Sequence, residues 1–330
     1  MRQSLLIALL AILAILGLAV SALAGSANLT VAETLAGSAK PGTPIFSIVW
    51  EIRLPRALAA FIAGGALGGA GAALQGLLRN PLAGPGVLGI SAVASLGAVI
   101  VIYFGIVSAM GGFAVPVGAL IGAFAATGIL MAALGRQTSP VTVILVGLGL
   151  SSFAAALLSL AMNLAPNQGS LADMINWLLG SVVNRSWTDI LLISVPVLIG
   201  IAALAQAAPG LRVLSLGEET AITVGAGPGK TRVWVVLGSG ALVGASVALA
   251  GTIGFVGIVA PHMLRRLVGG DPAGLMLPSA LFGGTLLVFT DLLIRTVPAF
   301  AQINLGVAVA LIGAPVFIWI ATDMAKAWKS

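Results

Sequence analysis

Few residues in this chain could do chemistry. Gly225–Thr231, GAGPGKT, ends like a loop that cradles phosphate. The full spacing needs a glycine where Val224 stands, and no buried strand precedes the stretch, so nucleotide binding by the chain itself is not indicated. Gly89-Ile90-Ser91-Ala92 has the G-x-S-x form of an intramembrane serine nucleophile. Its base would have to be His262, the only histidine. Arg265 and Arg266 lie close by in sequence and disfavour a protonated imidazole, so a histidine packed at a helix end is the preferred reading. There is no HExxH and no cluster of Cys, His and carboxylates, so no metal site or resident cofactor is expected. Cysteine is absent, which excludes disulfides and thiol chemistry. Asp291 lies inside an apolar segment, four residues before Arg295. An intramembrane acid is a functional candidate by default. The spacing favours a structural ion pair along one helix face over a proton relay.

The longest polar interval in the second half is Pro209–Arg232, PGLRVLSLGEETAITVGAGPGKTR. Pro209-Gly210 is expected to stop the helix before it. Gly217 and Gly225 bracket Glu218–Val224, enough for about two helical turns. Glu218 and Glu219 suit the first turn, and Gly225 suits the position just past the C-terminus. Arg212, Lys230 and Arg232 flank the piece. It reads either as a docking element on which a soluble partner pushes from the cytoplasm or as an ordinary solvated loop.

What must hold this interval is a lipid-embedded scaffold. The 330 residues are 59% hydrophobic and only 7% charged. A soluble domain carries roughly 25% charged residues, so lipid is the solvent. Spans of about 20 residues leave room for roughly ten helices with short loops. The 44 glycines fit close helix–helix approach. An all-α, polytopic membrane bundle forming one domain over residues 1–330 is therefore expected, with 209–232 as its cytoplasmic loop.

Met1–Gly25 reads equally as a signal peptide or a first span, with retention favoured. Ser26–Arg56, broken by Pro41, Pro44 and Pro55, reads as a loop outside the membrane. Further spans are expected at Ala57–Leu78, Val87–Val107, Gly112–Leu134, Val141–Leu164, Thr188–Ala208, Val233–Thr252, Gly254–Leu267 (short), Leu275–Arg295 and Ile303–Thr322. Ala57–Leu78 holds Gly64/Gly68 and Gly65/Gly69, two GxxxG pairs that should face neighbouring helices. Ala165–Trp187 mixes polar and apolar residues and suggests a helix at the membrane surface. The net charge of +6 bears first on topology, not on nucleic acid, for which no partner is expected. With the N-terminus inside, Arg2, Arg79, Arg136, Arg212, Lys230, Arg232, Arg265, Arg266, Lys326 and Lys329 are cytoplasmic. Only Lys40, Arg53, Arg56, Arg185 and Arg295 lie outside. That bias places both termini in the cytoplasm.

Five stretches in order together resemble the FecCD family, the permease subunits of binding-protein-dependent ATP-binding-cassette (ABC) importers for iron-siderophores, haem and cobalamin. They are Arg53–Arg56 (RLPR), Gln75–Gly89 (QGLLRNPLAGPGVLG), Leu216–Gly225 (LGEETAITVG), Gly251–Arg265 (GTIGFVGIVAPHMLR) and Leu311–Pro315 (LIGAP). The resemblance runs from about Trp50 to Trp319. It implies the type II importer permease fold of ten spans, working as a homodimer in the bacterial inner membrane. It also implies two cytoplasmic ATPase subunits that bind the ATP, a periplasmic binding protein, and no enzymatic step in this chain. By the same resemblance Ser215, Gly217, Glu218, Glu219, Ala221 and Gly225 would touch the ATPase. Arg53, Arg56 and Arg295 would meet acidic groups of the binding protein, or else anchor helices at headgroups. Asn80 and Leu82, with Thr138 and Ser139, would form the cytoplasmic gate, and the fifth and tenth spans would line the path. Iron-siderophore is the favoured cargo, with haem or cobalamin as alternatives. Two departures weaken any transfer of cargo identity: Gly84 replaces the acid common in NPLADPG, and Gln302–Gly306 replaces the usual ELPVG. The rival readings are an intramembrane serine protease and an ATP-independent channel or carrier.

Overall fold

The computed structural model describes residues 3–25, 29–134, 140–297 and 303–327. Among these, all regular structure is helical: α1 (Gln3–Leu23), α2 (Val31–Ser38), α3 (Pro44–Ser47), α4 (Leu54–Leu78), α5 (Ile90–Tyr103), α6 (Val107–Met110), α7 (Ala114–Ala133), α8 (Pro140–Asn163), α9 (Gln168–Leu179), α10 (Trp187–Leu214), α11 (Glu218–Thr223), α12 (Pro228–Ala250), α13 (Val256–Arg265), α14 (Pro272–Thr296) and α15 (Leu305–Ala327). Eight helical stretches are long and apolar enough to cross a bilayer; α5, with 14 residues, is a shorter apolar rod, and α13, with 10, is shorter still. At 1.5 Å per residue α5 reaches only about 21 Å, short of a hydrocarbon core of about 30 Å. The third span is thus shorter than Val87–Val107, because Gly89 and Gly105 at its two ends take positive φ.

The centre of the bundle is the pair α4 and α12, both rich in buried glycine and alanine. α4 packs most extensively on α14, and α12 lies between α10, α4 and α7. The GxxxG pairs explain the close approach. A Cβ on Gly68 would stand 2.1 Å from the Ser279 carbonyl oxygen, and one on Gly64 2.2 Å from that of Gly283. Gly65 and Gly69 face the same helix at looser range, 3.3 and 3.6 Å from Ala280. With lipid on the outside there is little hydrophobic drive between helices, so this backbone-to-backbone contact is what binds α4 to α14.

Two expectations about helix ends need correcting. Ser26–Arg56 is not a proline-broken loop: where described, it is largely helical. Thr30 and Glu33 form a capping box at the start of α2, and Thr43 caps α3. A π-helical turn, Ile48–Arg53, then runs straight into α4, with the Leu54 N–H reaching back to the Val49 carbonyl just before Pro55. The second correction is that Pro209-Gly210 does not stop α10, which continues to Leu214. Proline is tolerated inside membrane helices whose neighbours re-satisfy the freed groups. Gly210 serves another purpose, since a Cβ there would collide with the Thr231 side chain at the start of α12, 2.0 Å away.

Candidate functional site: a coupling helix, a gate loop and an arginine cluster

The polar interval folds into a hook. α10 ends at Leu214, the chain turns at Gly217 with φ 124°, and α11 follows as Glu218–Thr223. Its end is a full Schellman motif, with Ala226 N–H donating to Ala221 O (2.9 Å) and Gly225 N–H to Ile222 O (3.0 Å). Gly225 takes φ 77°, the left-handed conformation that favours glycine. The sequence reading of both bracketing glycines therefore holds.

Around α11 the structure sorts the expected contact residues. Ser215, Glu218, Glu219 and Gly225 are exposed, and Gly217 is half-buried. Ala221 is fully buried against the bundle, because the helix turns that face inward, and so packs α11 onto the helices behind it. Glu218 is only partly free, since its carboxylate accepts from Arg232 at 2.6 Å and so ties the first turn of α11 to α12. Sequence reasoning missed the apolar side chains that α11 and its two flanks hold in the open: Leu216 (71% exposed), Ile222 (61%) and Val224 (63%). The available signal was three large aliphatic residues in a segment otherwise read as solvated.

Two further contacts fasten the hook. Arg212 meets Asp271 at 3.1 Å, and Asp271 caps α14 through the Ala273 N–H, 3.0 Å away. Arg79, in a left-handed conformation at the end of α4, donates to Ser215 O at 3.4 Å. Next to it Asn80 and Leu82 share a tight turn in which Leu82 N–H donates to the Asn80 side-chain oxygen (2.9 Å). The other two expected gate residues, Thr138 and Ser139, lie outside the described residues. Gly84, the departure in this loop, has a local reason: a Cβ there would come within 2.6 Å of Ile258. Arg265 donates to the Gln75 oxygen (2.7 Å) and Gln75 donates to Ile258 O (3.3 Å), locking α4 to α13.

At the other end of α4 and α14 the three expected docking arginines do come together, but they are turned inward. Arg56 grips Asp291 with Nε at 3.0 Å from both oxygens and Nη2 at 2.7 Å. Arg295, the i+4 neighbour, stands 3.6 Å from the same carboxylate and donates to Ser21 O at 2.5 Å and to the Ser21 hydroxyl. Arg53 donates to Leu23 O at 2.6 Å. The expected Asp291–Arg295 pair exists, yet the tighter partner is Arg56, which lies on another helix. The side chains of Asp291, Arg295 and Arg56 are 2%, 8% and 18% exposed, so the cluster also stitches α1, α4 and α14 together.

Among the described residues, nothing in the geometry assembles a serine protease. Gly89 is required by its φ of 71° and by the Gly147 carbonyl oxygen, 2.5 Å from a would-be Cβ. Ser91 begins α5, which packs on α7, α8, α9 and α12, whereas His262 lies on α13, which packs on α4, α14 and α15.

Eight helical stretches long and apolar enough to cross a bilayer, with the short α11 at one end of them, make the architecture of a polytopic membrane protein. The model of the FecCD transport family matches residues 9–323. The chain belongs to that family, whose members are permease subunits of binding-protein-dependent importers, and it is a multi-pass membrane protein. It is 38% identical over 289 residues to the uncharacterized ABC transporter permease protein YvrB of Bacillus subtilis, covering 86% of this chain and 81% of that one. It is 40% identical over 277 residues to the vitamin B12 import system permease protein BtuC of Vibrio cholerae, covering 83% and 82%. A solved structure described as an inward-facing conformation of an ABC transporter of a proposed metal-chelate type superposes with a TM-score of 0.83 at 29% identity. That match covers 97% of this chain and 99% of the other.

Proposed function

We propose that this chain imports a large cobalt or iron chelate across the bacterial inner membrane as a homodimer. Two ATP-hydrolysing subunits sit on its cytoplasmic face and a periplasmic binding protein on the other. Both termini are cytoplasmic, and residues 1–330 act as one unit with 209–232 as the coupling loop. The observation that carries this reading is α11, a capped helix too short to stand alone, held out of the bundle with Leu216, Ile222 and Val224 in water. Exposed aliphatic side chains beside Glu219 suit the apolar core and charged rim of a protein interface.

The contacts around α11 supply the mechanism. A push on it reaches α12 through Glu218–Arg232, α14 through Arg212–Asp271, and the Asn80–Leu82 gate loop through Arg79 and Ser215. Thr138 and Ser139 complete the gate. α8 and α15 line the path, and both leave large side chains exposed in a single copy, among them Leu145, Phe153, Leu311 and Ile318. The chain itself binds no ATP and makes or breaks no bond, and hydrolysis in the partner tips the bundle between its two openings.

Arg53, Arg56 and Arg295 give the outer end a positive field that draws in the acidic rim of the binding protein. For Arg56 and Arg295, which face Asp291, contact follows only after that carboxylate is exchanged for those of the binding protein. Cargo follows from the relatives: those named for vitamin B12 import favour a corrinoid, while no residue speaks for the iron-siderophore expected from sequence.

The experiment is uptake into proteoliposomes holding the chain with its ATPase and cognate binding protein, offered labelled cobalamin, haem or a ferric siderophore. ATP-dependent uptake of cobalamin is expected. Uptake of the ferric siderophore alone would replace the cargo, and uptake without the ATPase would end the coupling reading.

A further inference from the structure

A second polar site lies at the same end of the bundle as the arginine cluster but apart from it. A cavity of about 630 Å³ opens between the ends of α5 and α7 and the surface helix α9. That volume falls within the range of small-molecule sites, about 300–1,000 Å³. The lining combines the apolar Ile102 and Val115 with Ser170, Asn176, Arg185 and the exposed carboxylate of Asp173.

Arg185 is the anomaly. Its guanidinium lies over the Trp177 ring, 5.4 Å from the centroid. Its Nε is buried without a hydrogen-bond partner among the described residues, and so is the Trp177 indole N–H. Burial pulls the Arg185 pKa below its ordinary value, opposed in part by the charge of Asp189. That carboxylate is already occupied in capping α10, accepting from the Ser186 N–H and hydroxyl at 2.8 and 2.7 Å. A guanidinium has five donors and stays charged, and leaving it half-buried with an unmet donor is costly. Stacking on Trp177 fixes its plane, so its fork is pre-oriented for a two-oxygen acceptor.

The cavity's surroundings are also built. Ser181 N–H donates to Ala250 O at 2.8 Å, and the Thr252 hydroxyl donates to Leu178 O at 2.5 Å, pinning α9 to the break between α12 and α13. Phe104, Met110 and Phe113, in or beside the α5–α7 connection that contributes Val107 to the cavity wall, are exposed. A largely apolar cavity with a guanidinium whose Nε lacks a partner, beside exposed apolar side chains, suits an amphiphile.

We propose that this cavity is a phosphate site, occupied by a phospholipid headgroup or by soluble phosphate, with Arg185 as the ligand that grips the oxyanion. Trp177 holds the guanidinium in place and the apolar side chains beside the cavity receive a lipid's first methylenes. Because α9 is pinned to the α12–α13 break, an occupant would stiffen the outer end of the bundle. The proposal is independent of cargo and of the coupling reading.

The test uses the full chain in neutral detergent, delipidated, with native mass spectrometry and thermal melting as readouts. The probes are phosphatidylglycerol and inorganic phosphate, each titrated against wild type, Arg185→Gln, Arg185→Lys and the control Arg212→Gln. Wild type and R212Q should bind one probe per chain. R185Q should bind about tenfold more weakly or worse, and R185K in between, since lysine keeps the charge but loses the fork. Binding of phosphatidylglycerol that phosphate does not displace assigns the site to lipid, and displacement by phosphate assigns it to the soluble ion. Equal affinity in wild type and R185Q, or no binding of either probe, overturns the proposal. If R185Q does not fold, R185K decides, and wild-type affinity in R185K overturns it.

Discussion

Replacing Asp291 by Asn tests the arginine cluster most sharply. The carboxylate is almost fully buried and takes three contacts of 2.7–3.0 Å from Arg56 and a longer one of 3.6 Å from Arg295. The amide keeps the shape and one acceptor oxygen but removes the only negative charge among three arginines. Breaking a buried ion pair by removing one partner costs about 3–5 kcal/mol, because the surviving charge stays desolvated. Arg56 is partly open to solvent and can recover some hydration, so the lower half of that range, about 3–4 kcal/mol, is expected. At roughly 2 °C per kcal/mol for a chain of this size, melting in detergent should fall by about 6–8 °C. Arg56→Gln alone should also destabilise, and the double variant D291N/R56Q should lose less than the sum, with a coupling of about 1–3 kcal/mol. Arg295→Gln should couple to D291N more weakly, given its longer contact. A D291N variant that melts within 2 °C of wild type, or strict additivity with R56Q, would refute the idea that this carboxylate holds α4 and α14 together.

Other expectations follow from the same contacts. Gly68→Val should drive side-chain atoms into the Ser279 carbonyl and part α4 from α14, costing about 1–3 kcal/mol or preventing assembly, while Gly128→Ala, at an open helical position with ordinary φ, should leave melting unchanged. Glu219→Lys should lower substrate-stimulated ATPase activity of the assembled complex without changing the melting point of the permease. Glu218→Arg should uncouple through a different route, by releasing α11 from α12, and Arg232→Glu added to it should restore part of the coupling. A double variant no better than E218R would remove the strut.

Much of the fold was legible because lipid imposes simple rules. Apolar runs of about 20 residues gave most of the spans, Gly64 and Gly68 announced the α4–α14 contact, and Gly217 and Gly225 bounded α11. Failures came where local chemistry was overridden. Pro209 and Gly210 look like a stop, yet a helix with neighbours on both sides runs through them, and Gly210 is there for Thr231. The capping box Thr30/Glu33 was a readable helix start hidden by three prolines. At the site, spacing could pair Asp291 with Arg295, but Arg56 is 235 residues away and only the fold could reveal it. Spacing likewise could not tell that Ala221 faces inward while Ile222, its neighbour, faces out.

The absence of cysteine makes the decisive measurement clean. A single Ile222→Cys on the exposed face of α11 can be labelled with a membrane-impermeant thiol reagent in sealed inverted and right-side-out vesicles, with and without the ATPase. Labelling only from the cytoplasmic side, blocked when the ATPase is bound, is the predicted result. Labelling from the periplasmic side, or equal labelling with the ATPase in place, would contradict the account.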